Sequence, residues 1–170
     1  MNDLATSKGG IKSFNLADGA AKTSIDFPAG ICNDLVLDKD GNIYATESFL
    51  GRIFYLPKGG TAFTTFSMDT TLAPAGAGQF GADGIVFDGN ASLYVNNISK
   101  NSLIRFPING NGTSGTPELF TVTPALASPD GMRFVDATTL LVVENVATTG
   151  RLTRLALNVA GKSAAGTVLS

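Results

Sequence analysis

Three stretches of this 170-residue chain repeat one another, and a chain built from such units folds only as a stack or ring of them. They are NDLVLDKDGNIYATES from Asn33, DGIVFDGNASLYVNN from Asp83 and DGMRFVDATTLLVVEN from Asp130, whose starts lie 50 and 47 residues apart. Each is followed by a second shared pattern: GRIFYLP from Gly51, NSLIRFP from Asn101 and GRLTRLA from Gly150. A fourth copy of that second pattern, GGIKSFN from Gly9, lacks the first. A looser apolar stretch closes each unit: SIDF from Ser24, AFTTFS from Ala62, ELFTVT from Glu118 and TVLS from Thr167.

Each unit reads as four short strands. LVLD and NIYAT flank Asp38-Lys39-Asp40-Gly41-Asn42, whose Gly and Asn tolerate the positive φ of a tight hairpin. Apolar residues then recur in phase: Ile11, Ile53, Leu103 and Leu152, followed by Phe14, Leu56, Phe106 and Leu155. No stretch sustains helical periodicity. Four strands in about 40–50 residues is a propeller blade, so the predicted fold is an all-β propeller. About three and a half blades are expected: 1–29 as the tail of a preceding blade, then 30–68, 80–123 and 128–170 as three blades. Met1 to Asp3 align with the strand end at Asn96 and Asn97, so the sequence starts in mid-blade. Closed rings need about four to eight blades. The expectation is therefore a piece of a longer chain, or self-association of two copies to close a ring.

Composition removes several function classes. Apolar residues are 44% and charged residues 15%, which excludes a disordered chain. With 12 basic and 14 acidic side chains the net charge is −2, and no basic stripe offers nucleic acid or an anionic membrane a footprint. A lone cysteine, Cys32, excludes an internal disulfide, and the absence of histidine excludes Ser-His-Asp and Cys-His catalysis within these residues. Any chemistry falls to carboxylates, amides, hydroxyls, lysines or a hard metal held by oxygens. No apolar run nears the ~20 residues that span a bilayer, and MNDLATSKGG carries no secretion-signal core.

Asn33, Asp83 and Asp130 open the inner strand of successive units, so all three are expected at one rim of the channel. Two carboxylates and an amide carbonyl suit a hard cation such as Ca²⁺. Alternatively, Asn-Asp and Asp-Gly there simply cap turns. Glu47, Asn97 and Glu144 close the inner strands near that rim and are read as solvated strand ends rather than as groups that support the site or touch substrate. Arg52, Arg105, Arg151 and Arg154 are read as exposed face residues. Asp38 to Asn42 is a hairpin turn rather than a calcium loop, since the twelfth position from Asp38 is Phe49, not glutamate. Glycosylation sequons at Asn90, Asn97 and Asn111 occur at about chance frequency.

CNDLVLDKDGNIYATES, GADGIVFDGNASLYVNN and SPDGMRFV together resemble three successive blades of the senescence marker protein/gluconolactonase/luciferin-regenerating-enzyme family. The resemblance implies a six-bladed ring with a divalent metal in its channel, Ca²⁺ first and Zn²⁺ or Mg²⁺ as alternatives. It implies ligands at Asn33, Asp83 and Asp130, with Asp130, in an intact Pro129-Asp130-Gly131-Met132 motif, also acting as base. The family's glutamate ligand would lie upstream of Met1, and Asp83 stands where the family has asparagine. The implied activity is metal-dependent hydrolysis of a sugar lactone or related ester, a small-molecule substrate, in a parent exported to the periplasm or medium. The alternative is a non-catalytic propeller that binds a ligand or protein partner.

Overall fold

The computed structural model describes residues 9–146 and 149–170, so the alignment of Met1 to Asp3 falls outside the described residues. Fourteen strands form among them. β1 (Gly10–Phe14) and β2 (Ala21–Asp26) make a two-stranded sheet. β3 (Cys32–Leu37), β4 (Ile43–Glu47), β5 (Arg52–Leu56) and β6 (Thr64–Ser67) make a four-stranded antiparallel meander. Two further meanders follow: β7 (Ala82–Phe87), β8 (Ser92–Asn97), β9 (Ser102–Pro107) and β10 (Glu118–Thr123), then β11 (Pro129–Asp136), β12 (Thr139–Glu144), β13 (Arg151–Asn158) and β14 (Ser163–Val168). These last two join edge to edge, because β10 runs parallel to β14 from Thr121↔Ser163 to Thr123↔Ala165. Among the described residues no helix is long and apolar enough to cross a membrane.

Side chains on a strand alternate between faces, and each meander uses both faces. Ala45 and Phe54 pack with Phe27, Leu56 and Phe63 against the two-stranded sheet. Their neighbours Tyr44 and Ile53 point the other way, into a layer with Ile85, Leu93, Val95, Ile104 and Phe106. Tyr94 and Leu103 in turn pack with Met132, Leu140, Val142 and Leu155. Three apolar layers thus alternate with the two-stranded sheet and the three meanders, which is how propeller blades stack.

The turn chemistry read from the sequence is present. Asp38 Oδ1 accepts from the amides of Asp40 and Asn42, and Gly41 takes φ +85°. The closing strand of the last meander differs from expectation: it starts at Ser163, not Thr167. Its leading residues Ser-Ala-Ala-Gly carry little apolar signal, yet Ala164 is buried in the core.

A second difference concerns the strand ends at Glu47, Asn97 and Glu144, which are fully buried rather than solvated. Each ties a loop to its blade. Glu47 accepts from the amides of Ile31, Phe49 and Leu50. Asn97 donates to the carbonyls of Thr71 and Ala73 and accepts from Ser99 Oγ and the Lys100 amide. Glu144 accepts from Arg151, Thr153 and the Ala127 amide. Burial pushes the Glu144 carboxyl up, but those donors outweigh it and hold it below the usual carboxylate range. Arg151 is therefore a partner to this buried acid, and Arg105 pairs with Glu118 at 2.7 Å, so neither is a free surface cation. Burial of Asn97 also removes its sequon from the folded surface.

Glu144→Ala strands the Arg151 guanidinium, the Thr153 hydroxyl and the Ala127 amide together. It is expected to cost about 2–4 kcal/mol in urea denaturation, well beyond the change at a solvated strand end.

Candidate functional site

The three inner strands lie side by side, and one equivalent position stands near the start of each. The equivalence is fixed by register: Cys32↔Glu47, Ala82↔Asn97 and Pro129↔Glu144 are matching pairs, and Asn33, Asp83 and Asp130 follow the first member of each. All three strands have an irregularity at this point, which turns the rim residue out of the ladder.

Hydrogen bonds between blades hold this rim. The buried Thr46 hydroxyl donates to the Asp83 carbonyl, and the buried Asn96 amide donates to the Asp130 carbonyl. Asp34 Oδ2 accepts from the Ile85 amide at 3.1 Å, a further tie from one blade to the next. Gly84 is required by closeness: a Cβ there would stand 2.3 Å from the Asp130 carbonyl oxygen.

Asp83 lies at the centre, 4% exposed, with the Asn33 and Asp130 side chains beside its carboxyl. Its carboxyl is pushed up to about 7, chiefly by burial, then by the charge of the neighbouring Asp130 and its side chain. The Asn33 amide opposes that rise, and Asp34 adds to it. Asp83 Oδ1 is buried with no hydrogen-bond partner among the described residues. Asp130 is half-buried, and its Oδ2 accepts from Asn145 Nδ2 at 2.6 Å. Asn33 is exposed, and its Nδ2 donates to Ser48 Oγ at 2.9 Å.

The structure thus brings the three rim residues together. It adds Asn145, Ser48, Thr46 and Asn96, which the sequence reading missed. Their signal was positional: Ser48 and Asn145 each stand one residue after a buried acid, and Thr46 and Asn96 one residue before a buried acid or amide. No group of three or more His, Cys, Asp or Glu able to hold a metal occurs among the described residues, because the rim supplies two carboxylates and an amide. That set still fits a hard cation: it is all oxygen, partly anionic, and one buried oxygen lacks a donor.

No family model matches the sequence, and no curated protein matches it. Solved structures do. A catalytically inactive virginiamycin B lyase from Staphylococcus aureus, crystallised with quinupristin, is 18% identical over 95% of this chain and 48% of its own, with a TM-score of 0.65. A nidogen/laminin complex gives 15% identity over 96% of this chain and 59% of the other, with a TM-score of 0.70. A presumed gluconolactonase gives 19% identity over 90% of this chain and 50% of the other, with a TM-score of 0.56. The chain has an all-β propeller fold and spans about half the length of the solved structures it matches.

Between about pH 4 and 7 the folded chain holds more protons at Asp83 than the unfolded chain does, because its folded pKa lies above the unfolded value of 3.8. Stability therefore falls as pH rises through that window and stays reduced above it. In chelator at pH 8, Asp83→Asn is expected to be roughly 1–4 kcal/mol more stable than the parent chain, an advantage that vanishes near pH 4. Chemical denaturation at both pH values measures this, and equal stability at pH 8 would contradict a strained carboxyl.

Proposed function

We propose that Asn33, Asp83 and Asp130 hold a divalent cation, Ca²⁺ first, and that these blades belong to a hydrolase of a sugar lactone or related ester. The carrying observation is the buried oxygen of Asp83, without a hydrogen-bond partner among the described residues, beside a second carboxylate. Two adjacent acids that must share a proton when alone both ionise readily around a cation. A likeness to a presumed gluconolactonase supports the reaction class at the level of fold.

When bound, the cation supplies Lewis acidity toward a lactone carbonyl and acidifies water. The chain's own residues do the rest. Asp83 is the fixed, desolvated anchor. Asp130 is the base that takes a proton from the attacking water: it is half-buried, and the Asn145 amide locks its carboxylate in one orientation. Asn33, the exposed member of the set, is the ligand that meets the substrate side.

A second reading, a propeller that binds a protein without chemistry, is favoured by the likeness to the nidogen/laminin complex and by the rim's having only two carboxylates in reach of one another. Exposed apolar side chains bear on self-association under either reading. Leu35 and Leu37 on β3 are 38% and 53% exposed, whereas Ile85, in phase with Leu35 on β7, is 1% exposed.

Calorimetric titration with Ca²⁺ separates the readings. The cation reading expects saturable binding by the parent chain, lost in Asp130→Asn, with a stability change below about 1 kcal/mol. Lactone hydrolysis should fall in parallel. A parent chain that takes up no Ca²⁺, Zn²⁺ or Mg²⁺ would leave the binding propeller as the better account. Solution mass on the same sample reports whether two copies associate.

A further inference from the structure

The three blades carry equivalent residues at one more position, and there they differ. Ser48 donates its backbone amide to the Ile31 carbonyl at 3.3 Å, Ile98 to Gly81 at 3.1 Å and Asn145 to Ser128 at 2.9 Å. In each case the acceptor stands two residues before the rim residue, so Ser48, Ile98 and Asn145 occupy the same place in successive blades. In two of the blades the side chain at this place bonds the rim residue. Ser48 Oγ accepts from Asn33 Nδ2, and Asn145 Nδ2 donates to Asp130 Oδ2. In the middle blade the residue is isoleucine, which can do neither. The rim residue of that same blade is Asp83, the one whose buried oxygen has no partner among the described residues.

We propose that residue 98 determines whether Asp83 is free to take a cation, and that Ile98 is the positioning residue that keeps one carboxylate oxygen of the rim unsatisfied until an ion arrives. The cation part rests on the reading above; the assignment of residue 98 as the place from which Asp83 is satisfied does not. A buried acceptor left without a donor is costly, and a ligand that supplies positive charge recovers that cost on binding. An apolar residue there raises the free energy of the empty site and so increases its affinity for the ion. An amide at the same place would satisfy Asp83 in the empty state and compete with the ion.

The test uses Ile98→Asn, with Ile98→Ala as the control for lost packing and Ile98→Ser as a second polar variant that copies Ser48. Each is also made in an Asp83→Ala background. In chelator at pH 8, Ile98→Asn is expected to melt above Ile98→Ala, and the gap should close once Asp83 is removed. In Ca²⁺ calorimetry, Ile98→Asn should bind at least about ten-fold more weakly than Ile98→Ala, the equivalent of ~1.4 kcal/mol. A merely structural role for residue 98 would change melting without changing affinity. If neither polar variant melts above Ile98→Ala, or if the gap survives loss of Asp83, the assignment is overturned. If the parent chain binds no Ca²⁺, the cation part falls along with the reading it rests on. A gap that depends on Asp83 would then still uphold residue 98 as its satisfying position.

Discussion

The rim depends on a set of hydrogen bonds that cross from one blade to the next. Thr46 on the first meander holds the carbonyl of Asp83, and Asn96 on the second holds the carbonyl of Asp130. These donors are buried, in matching strand positions, and their acceptors are the backbone of the rim residues themselves. A rim side chain is therefore set by the preceding blade as well as by its own. The third blade has Val143 at this position, which is 45% exposed where Asn96 is fully buried. An apolar, uncovered residue in that place marks the sheet face that no further described blade meets.

Strand order, hairpin turns and blade phase were legible in the sequence because they rest on local chemistry. Alternation of apolar residues, the Asp38 turn and the recurrent Gly-Arg or Asn-Ser step each act within a few residues. The rim trio was legible for the same reason, since equal phase in a repeat means equal place around an axis. What escaped was whatever depends on a partner far along the chain. Asn145 looks like an ordinary strand end until β11 and β12 pair and put it beside Asp130. The outer strand at Ser163 was placed late because small residues pack there against the neighbouring strands rather than through an apolar run.

Glu47, Asn97 and Glu144 show the same limit more sharply. A carboxylate at a strand end normally faces water. Here the loops that enter and leave each blade fold over the acid, and their amides supply the donors that water would have given. Three positions in equal register thus form a polar lock under the rim. Their burial is specified largely by the loops, which vary in length and composition, and at Glu144 also by Arg151 and Thr153 of the next strand. The lock in the last blade also recruits Arg151, which converts an expected surface cation into part of the scaffold.

Four buried side-chain atoms lack a hydrogen-bond partner among the described residues, on Asp83, Ser92, Ser102 and Arg105, and Asp83 is the carboxylate among them. Asn33 and Asp130 each have a side-chain partner from their own blade, and the buried acids below them have several. Asp83 is more deeply buried than either rim companion and lies against another carboxyl, yet one of its oxygens is left bare. Folding alone gains nothing from that arrangement: a neutral amide at 83, or a polar side chain at 98, would relieve it. Burying an acid beside an acid lowers stability in the empty state, and a positive charge brought there would recover that cost. The strain sits at the channel rim, where blades converge and where a ligand has access through the half-buried Asp130 and the exposed Asn33. The energetic cost and the accessible position coincide at one residue, which is why Asp83, rather than the more recognisable Asp130 motif, carries the argument for a bound ion.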